Sequence, residues 1–250
     1  MVALFAPTGR PEAEEIVSVP LDPTAVAVDH LAALQARVEA GEITPELVAE
    51  LDGVVGELTA RVRTGAAPEA EPVLLRAFEL RVRVLQGRGE LPSGYRGEFI
   101  AAVAPGAMFA DVTADVPASV TIAQAIIESG WGKSAPGYNL FGMKGEGPAG
   151  SERRRVVEYR HGRRGVRKDA FRAYHSFTES LEDHARVLST SARYAAARDV
   201  AEDPAAYAAA LQGRYATDPK YATKLMDLSD RYVLDRFDQA PPPALADETP

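Results

Sequence analysis

Cysteine is absent from the 250 residues, which excludes disulfides, thiolate metal sites and a cysteine nucleophile. The four histidines are scattered, with none of the HExxH spacing that gathers a zinc ion. Neither a metal nor any other cofactor is expected. No run is long and apolar enough to cross a bilayer, so no membrane association is expected. The opening residues MVALFAPTGRPEAEE lack a basic lead, and acidic residues soon follow their short apolar stretch. A secretory signal peptide is therefore not expected. Basic residues are outnumbered, and a formal charge of −8 argues against a nucleic-acid binder. One stretch reverses the balance. From Arg153 to Lys168 there are eight basic residues and one acidic residue, a local +7 that leaves −15 on the rest of the chain.

What the chain does contain is helical pattern. Residues 1–21 read as an N-terminal arm, 22–87 as a helical bundle, 88–94 as a linker, 95–238 as a second domain and 239–250 as a disordered tail with three consecutive prolines. In the bundle, Asp22-Pro23 precedes Val28, Leu31, Leu34 and Val38 at helical spacing, and Gly41 ends the run. Thr44-Pro45 opens a second helix whose stripe is Leu47, Leu51, Val54, Val55, Leu58 and Val62. A third runs from Glu71 to Gln86. Short connections between amphipathic helices predict an antiparallel bundle. It carries no catalytic constellation, and reads as a structural module or as a surface for a protein partner.

The chemistry points elsewhere. Pro117-Ala118-Ser119 opens a helix, with Ser119 as its predicted N-cap, that is apolar except for Thr121, Gln124 and Glu128. Those three share one stripe, which on a buried helix predicts a cleft on that side. Glu128 sits in the last turn, before Gly130. The negative end of the helix dipole and burial beside isoleucine and Trp131 both disfavour its ionised form. A carboxyl that keeps its proton near neutral pH can act as a general acid on a glycosidic oxygen. A solvated or ion-paired glutamate at a helix end is the alternative the helix alone leaves open.

The surrounding words add a resemblance. Val116 to Gly132 (VPASVTIAQAIIESGWG) resembles the signature of glycoside hydrolase family 73, the glucosaminidases of bacterial autolysins and of the flagellar wall-cutting domain. Further blocks follow in order: Tyr138-Asn139-Leu140-Phe141-Gly142, Val157-Glu158-Tyr159, Phe171 to Phe177, Ser180 to His184, and Tyr215 to Ala222. The resemblance covers roughly Tyr95 to Phe237. It implies a mainly α, lysozyme-like α+β domain with a small β-hairpin lobe, here preceded by the helical bundle.

As catalytic residues it implies Glu128, a second carboxylate at Glu158 and the tyrosine Tyr215. Tyr138 and Asn139 are implied to line the groove. Gln124, Trp131, Phe141 and Gly142 are further substrate-binding candidates, although Trp131 reads equally as a packed core residue and Phe141 and Gly142 as shapers of the turn. The implied reaction is hydrolysis of the β-1,4 bond between N-acetylglucosamine and N-acetylmuramic acid in peptidoglycan glycan strands. A muramidase or lytic transglycosylase on the same fold is the rival. So is a wall-docking module of a phage or injection apparatus in which cutting is secondary. Action at the bacterial wall without a signal peptide implies another delivery route. One departure stands out: where many family members carry a tryptophan before the hairpin, this chain has Gly145 to Gly150. The arginines flanking Glu158 read as a solvated hairpin face or as a contact for anionic wall polymers.

Overall fold

The computed structural model describes residues 22–65, 67–160 and 163–239, and over 156–160 and 163–166 it describes the backbone only. The expected N-terminal arm, the tail beyond Gln239 and the His161-Gly162 turn lie outside the described residues.

The first two helices begin where local chemistry says they should. Helix α1, Pro23–Glu39, is capped by Asp22, whose carboxylate accepts from the Thr24 amide at 2.9 Å. Helix α2, Pro45–Arg63, is capped by Thr44, whose hydroxyl accepts from the Leu47 amide at 3.2 Å. Proline at the first helical position costs neither helix a hydrogen bond. Helix α3, Glu71–Gly87, completes the group. Leu31 and Leu34, Leu47, Leu51 and Leu58, and Leu74 and Phe78 are removed from water together. Each such side chain contributes about 1.5–3 kcal/mol.

The core does not stop at residue 88. Helix α4, Tyr95–Ala114, packs along α3 and is buried nearly all round, and Ile100, Val103 and Met108 continue the same apolar cluster. The turn-rich stretch 88–94 thus joins two helices packed against each other. Inside α4, Pro105 sacrifices one backbone bond. Next to it, a side chain on Gly106 would come within 2.8 Å of Leu181 Cδ1, so this bare stretch lets α6, Phe177–Thr190, lie close.

Helix α5, Ala118–Ser129, carries Glu128 and rests on α4, on α8 (Pro204–Leu211) and on α9 (Tyr221–Tyr232). The expected Ser119 cap is not formed. The capping position is Pro117, and the first amides are taken by carboxylates from distant elements. Ala118 N donates to Asp111 Oδ2 at 3.2 Å, and Ser119 N donates to Asp238 Oδ1 at 2.7 Å. Asp111 also receives the Gln239 amide at 3.0 Å, and burial pushes its carboxyl up to about 7. A cap reached across 119 residues leaves no local signature. The other end follows the sequence: Gly130 is left-handed at φ 58° and closes the helix.

The two strands are β1, Ser151–Arg160, and β2, Arg163–Arg172, paired antiparallel with Glu158 opposite Gly165 and Arg160 opposite Arg163. A short helix α7, Ala195–Arg198, links α6 to α8.

Candidate active site

The chain reverses immediately after Glu128. Ser129 is buried, and its hydroxyl donates to Ala125 O at 2.5 Å while accepting the Gly132 amide at 2.7 Å. Trp131 N returns to Ile126 O at 3.2 Å and Ser134 N to Ser129 O at 2.8 Å. These bonds fix the helix end, and Glu128 projects from it to the surface. The glutamate is thus exposed, while the helix beneath it is buried; the expectation of a glutamate sunk beside Trp131 is corrected. Partial desolvation still raises the Glu128 carboxyl above its ordinary value, as expected, against an opposing hydrogen bond from Tyr221.

That tyrosine is a site residue to which neither the spacing nor the resemblance assigns a role. Tyr221 opens α9 and is 3% exposed. Its hydroxyl donates to Glu128 Oε1 at 3.3 Å and accepts from Gln124 Nε2 at 3.1 Å. Gln124, expected to line the groove, is 0% exposed and cannot touch a sugar. It orients Tyr221 instead. Thr121 is equally buried, so the polar stripe of α5 faces α9 rather than water, except at Glu128. The only hint in the sequence was the second tyrosine of the Tyr215–Ala222 block.

Behind this pair the aromatic residues of several blocks meet in one column. Tyr215 lies nearly parallel to Tyr221, ring centres 5.7 Å apart. His184 meets Tyr215 edge-on at 5.6 Å and stacks on Phe141 at 3.7 Å and 11°. Burial holds His184 neutral, its value pushed down to about 3. Burial also drives the Tyr215 phenol well above its ordinary value, with Tyr221 and Glu128 adding to the effect, so Tyr215 is a neutral donor at pH 7. Glu128, Tyr215 and Phe141 of the expected set are therefore brought together, with His184 and Tyr221 joining them.

Others of the set do different work. Asn139 is 1% exposed, and its amide nitrogen donates to Met143 O and Arg172 O, both at 2.9 Å, while its oxygen accepts the Met143 amide at 2.9 Å. Both donors are spent on the backbone, so Asn139 staples the loop to the hairpin base instead of binding sugar. Tyr138 is half-exposed with a left-handed φ of 55°, and its ring leans on Phe177 at 5.4 Å. Gly142 is left-handed at φ 62°, with nothing within 4 Å of where a side chain would begin. Trp131 packs edge-to-face on Tyr95, Phe99 and Tyr232. Glu158 lies on β1, and its side chain falls outside the described residues.

Where the expected tryptophan is missing, the loop from Gly145 to Gly150 runs against the base of β2. Gly145 N bonds to Ala170 O, Ala149 N to Ala173 O, and Ala173 N to Gly150 O, each at 3.0 Å. A side chain on Gly147 would begin 2.4 Å from Ala173 O. The loop is a backbone clasp with no room for a platform at that position. The hairpin base is held further by Asp169, paired with Lys144 and Arg167, and by Asp183, paired with Arg172, Arg186 and Tyr174.

Among the described residues no group of three or more histidine, aspartate or glutamate side chains could hold a metal ion, and no helix is long and apolar enough to cross a membrane. Two clefts of about 640 and 670 Å³ open elsewhere. One lies beside Asp111 and Asp238 at the far end of α5, the other beside Glu146 and Arg186, and neither includes Glu128.

A mainly helical body with a two-stranded hairpin, and a carboxyl raised in pKa at the end of a buried helix, are the features of the lysozyme-like class of glycoside hydrolases. Residues 104–234 match the glucosaminidase family model, described as mannosyl-glycoprotein endo-beta-N-acetylglucosaminidase, and the chain belongs to that family. It is 40% identical over 186 residues to an autolysin of Enterococcus faecalis, covering 69% of this chain and 25% of the relative. It is 38% identical over 132 residues to an exo-glucosaminidase of Bacillus subtilis, covering 50% and 47%. Over 132 residues it is 44% identical to a probable N-acetylmuramidase of Lactococcus lactis, covering 49% and 30%. The chain thus spans between a quarter and a half of the length of these relatives. The catalytic domain of the autolysin Auto from Listeria monocytogenes has the same fold, with a TM-score of 0.55 and 36% identity over 61% of this chain and 94% of that one.

Proposed function

We propose that the protein is a peptidoglycan hydrolase that cleaves the β-1,4 bond between N-acetylglucosamine and N-acetylmuramic acid, with Glu128 as the general acid. The observation that carries this reading is the carboxyl of Glu128: exposed to a polymer, raised in pKa, and held by the buried Tyr221–Gln124 pair. In the reaction the Glu128 proton passes to the glycosidic oxygen as the C–O bond breaks, and the positive charge that develops on the sugar is met by water or by the 2-acetamido oxygen. Tyr221 then stabilises the carboxylate left behind, since its hydroxyl already points at Oε1. Tyr215, neutral and adjacent, is assigned to the cleavage point, and Glu158 to the role of second carboxylate from the hairpin. Tyr138, half-exposed beside Phe177, and Gly142 are assigned to the groove surface. The reading places the protein's action at the bacterial cell wall. A partner of the 22–87 region would have to use its outer, charged faces, because its apolar stripe is spent on its own core and on α4.

The experiment is digestion of purified sacculi followed by borohydride reduction. Reduced glucosamine at the new ends supports the reading; reduced muramic acid or an anhydro sugar overturns the assigned bond. Muramic acid ends would favour the second reading, a muramidase, which the name of the Lactococcus relatives supports. Glu128→Gln is expected to lower the rate by about 10²–10⁴-fold, the usual worth of a positioned acid. Wall clearance at the wild-type rate would remove Glu128 from the mechanism.

A further inference from the structure

We infer that the surface formed by Tyr95, Arg96, Trp131 and Lys133 is a second subsite for the glycan strand, one that selects sugars bearing a carboxylate. The inference rests on the glycan reading above.

Three observations converge on it. First, the patch is aromatic and open: Tyr95 is 47% exposed, Trp131 is partly exposed, and their rings meet edge-on at 6.2 Å. Phe99 and Tyr232 meet the indole edge-to-face at 6.0 and 5.0 Å, so one ring of the patch is packed against neighbours while Tyr95 stays open. Amphipathic rings of this kind offer a flat apolar face to the C–H side of a sugar with a polar edge alongside.

Second, the patch holds two cations with no acidic partner. Lys133 Nζ lies 4.1 Å from the centre of the Tyr95 ring, and the Arg96 guanidinium lies 5.6 Å from that of Trp131. Arg96 donates to the Tyr95 hydroxyl at 3.3 Å, and among the described residues the groups that face Arg96 and Lys133 are tyrosines and Trp131, not carboxylates. They stand side by side on one aromatic surface of a chain whose net charge is −8. A carboxylate brought in by the ligand would complete them as charge-assisted hydrogen bonds. In peptidoglycan that group is on the muramic acid side: its stem peptide, or its lactyl group when the peptide is absent.

Third, the patch is tied to the candidate acid. Trp131 follows Glu128 by three residues and Lys133 by five, through a turn with Gly130 and Trp131 both left-handed. Chain geometry therefore keeps Lys133 within about 18 Å of Glu128, a few sugar residues along a strand. Tyr95 and Arg96 stand just before the stretch that the family model matches, which starts at residue 104.

Trp131 is the only tryptophan, so intrinsic fluorescence reads this surface directly. The full chain carrying Glu128→Gln, which is not needed for the readout but prevents cleavage, is titrated with soluble un-cross-linked glycan strands bearing stem peptides. Chito-oligosaccharides of equal length serve as the neutral counterpart. The expected result is a saturable change in Trp131 emission, with the carboxylated strand binding about tenfold more tightly than the neutral one. Arg96→Gln combined with Lys133→Gln should erase that preference while leaving the melting temperature unchanged, and Tyr95→Phe should keep it. No emission change with either glycan, or equal affinity for both, overturns the inference. The outcome is separable from that of the functional reading: emission can respond in a protein that produces the wrong reducing end, and can stay silent in one that produces the right end.

Discussion

At the scale of single residues, the site depends on a hydroxyl in a place where nothing in the local sequence asks for one. The Tyr221 proton stabilises the ionised form of Glu128, so it lowers the pKa that desolvation raises. Tyr221→Phe should therefore shift the alkaline limb of the pH–rate profile upward, since the acid keeps its proton to higher pH. The same change should lower kcat by about tenfold, because the carboxylate formed on Glu128 as it gives up its proton loses its partner. A limb that stays in place or moves down contradicts the assigned hydrogen bond. His184 makes a separate prediction. Its folded value of about 3 lies below the unfolded value near 6.5, so an unfolded chain takes up the proton first as pH falls. The contribution is complete above pH 6.5 and is lost toward pH 3, at roughly 1.4 kcal/mol per pH unit. Between pH 6.5 and 5, urea unfolding of the native chain should lose about 2 kcal/mol more than that of His184→Gln. Parallel curves would show that His184 does not titrate in this way.

At the scale of elements, what could be read in advance was whatever is settled within a few residues. The caps at Asp22 and Thr44, the left-handed Gly130 and the pairing of β1 with β2 all follow from neighbours in the chain. What local sequence does not show has the opposite origin. The α5 cap comes from Asp238, and the Glu128 partner comes from Tyr221, 93 residues away; no spacing rule reaches so far. Gln124 and Asn139 are polar side chains near a catalytic word, a pattern that suggests contact with substrate. Burial instead turned each inward, one to a phenol and the other to two carbonyls. The clasp at the hairpin base is the element most open to test. Gly147→Ala would push a methyl against Ala173 O, at a cost of about 1–3 kcal/mol in urea unfolding. Unchanged stability would mean that the loop can lift off the strand.

At the scale of the whole molecule, the helices of 22–87 and those that follow share one apolar cluster through α3 and α4. Removing residues 22–87 is therefore expected to expose that side of α4 and to leave a product that aggregates or melts without cooperativity. A soluble fragment with a sharp thermal transition and full activity would show the two regions to be independent. The carboxylates at the start of α5 carry a consequence in time. Asp238 trails Ser119 by 119 residues, so at about 5–20 residues per second the ribosome delivers that cap roughly 6–24 s after making the helix it closes. During that interval the nascent chain holds its acid-bearing helix with its first turn incomplete. Full assembly of the site waits on Asp238 to leave the ribosome.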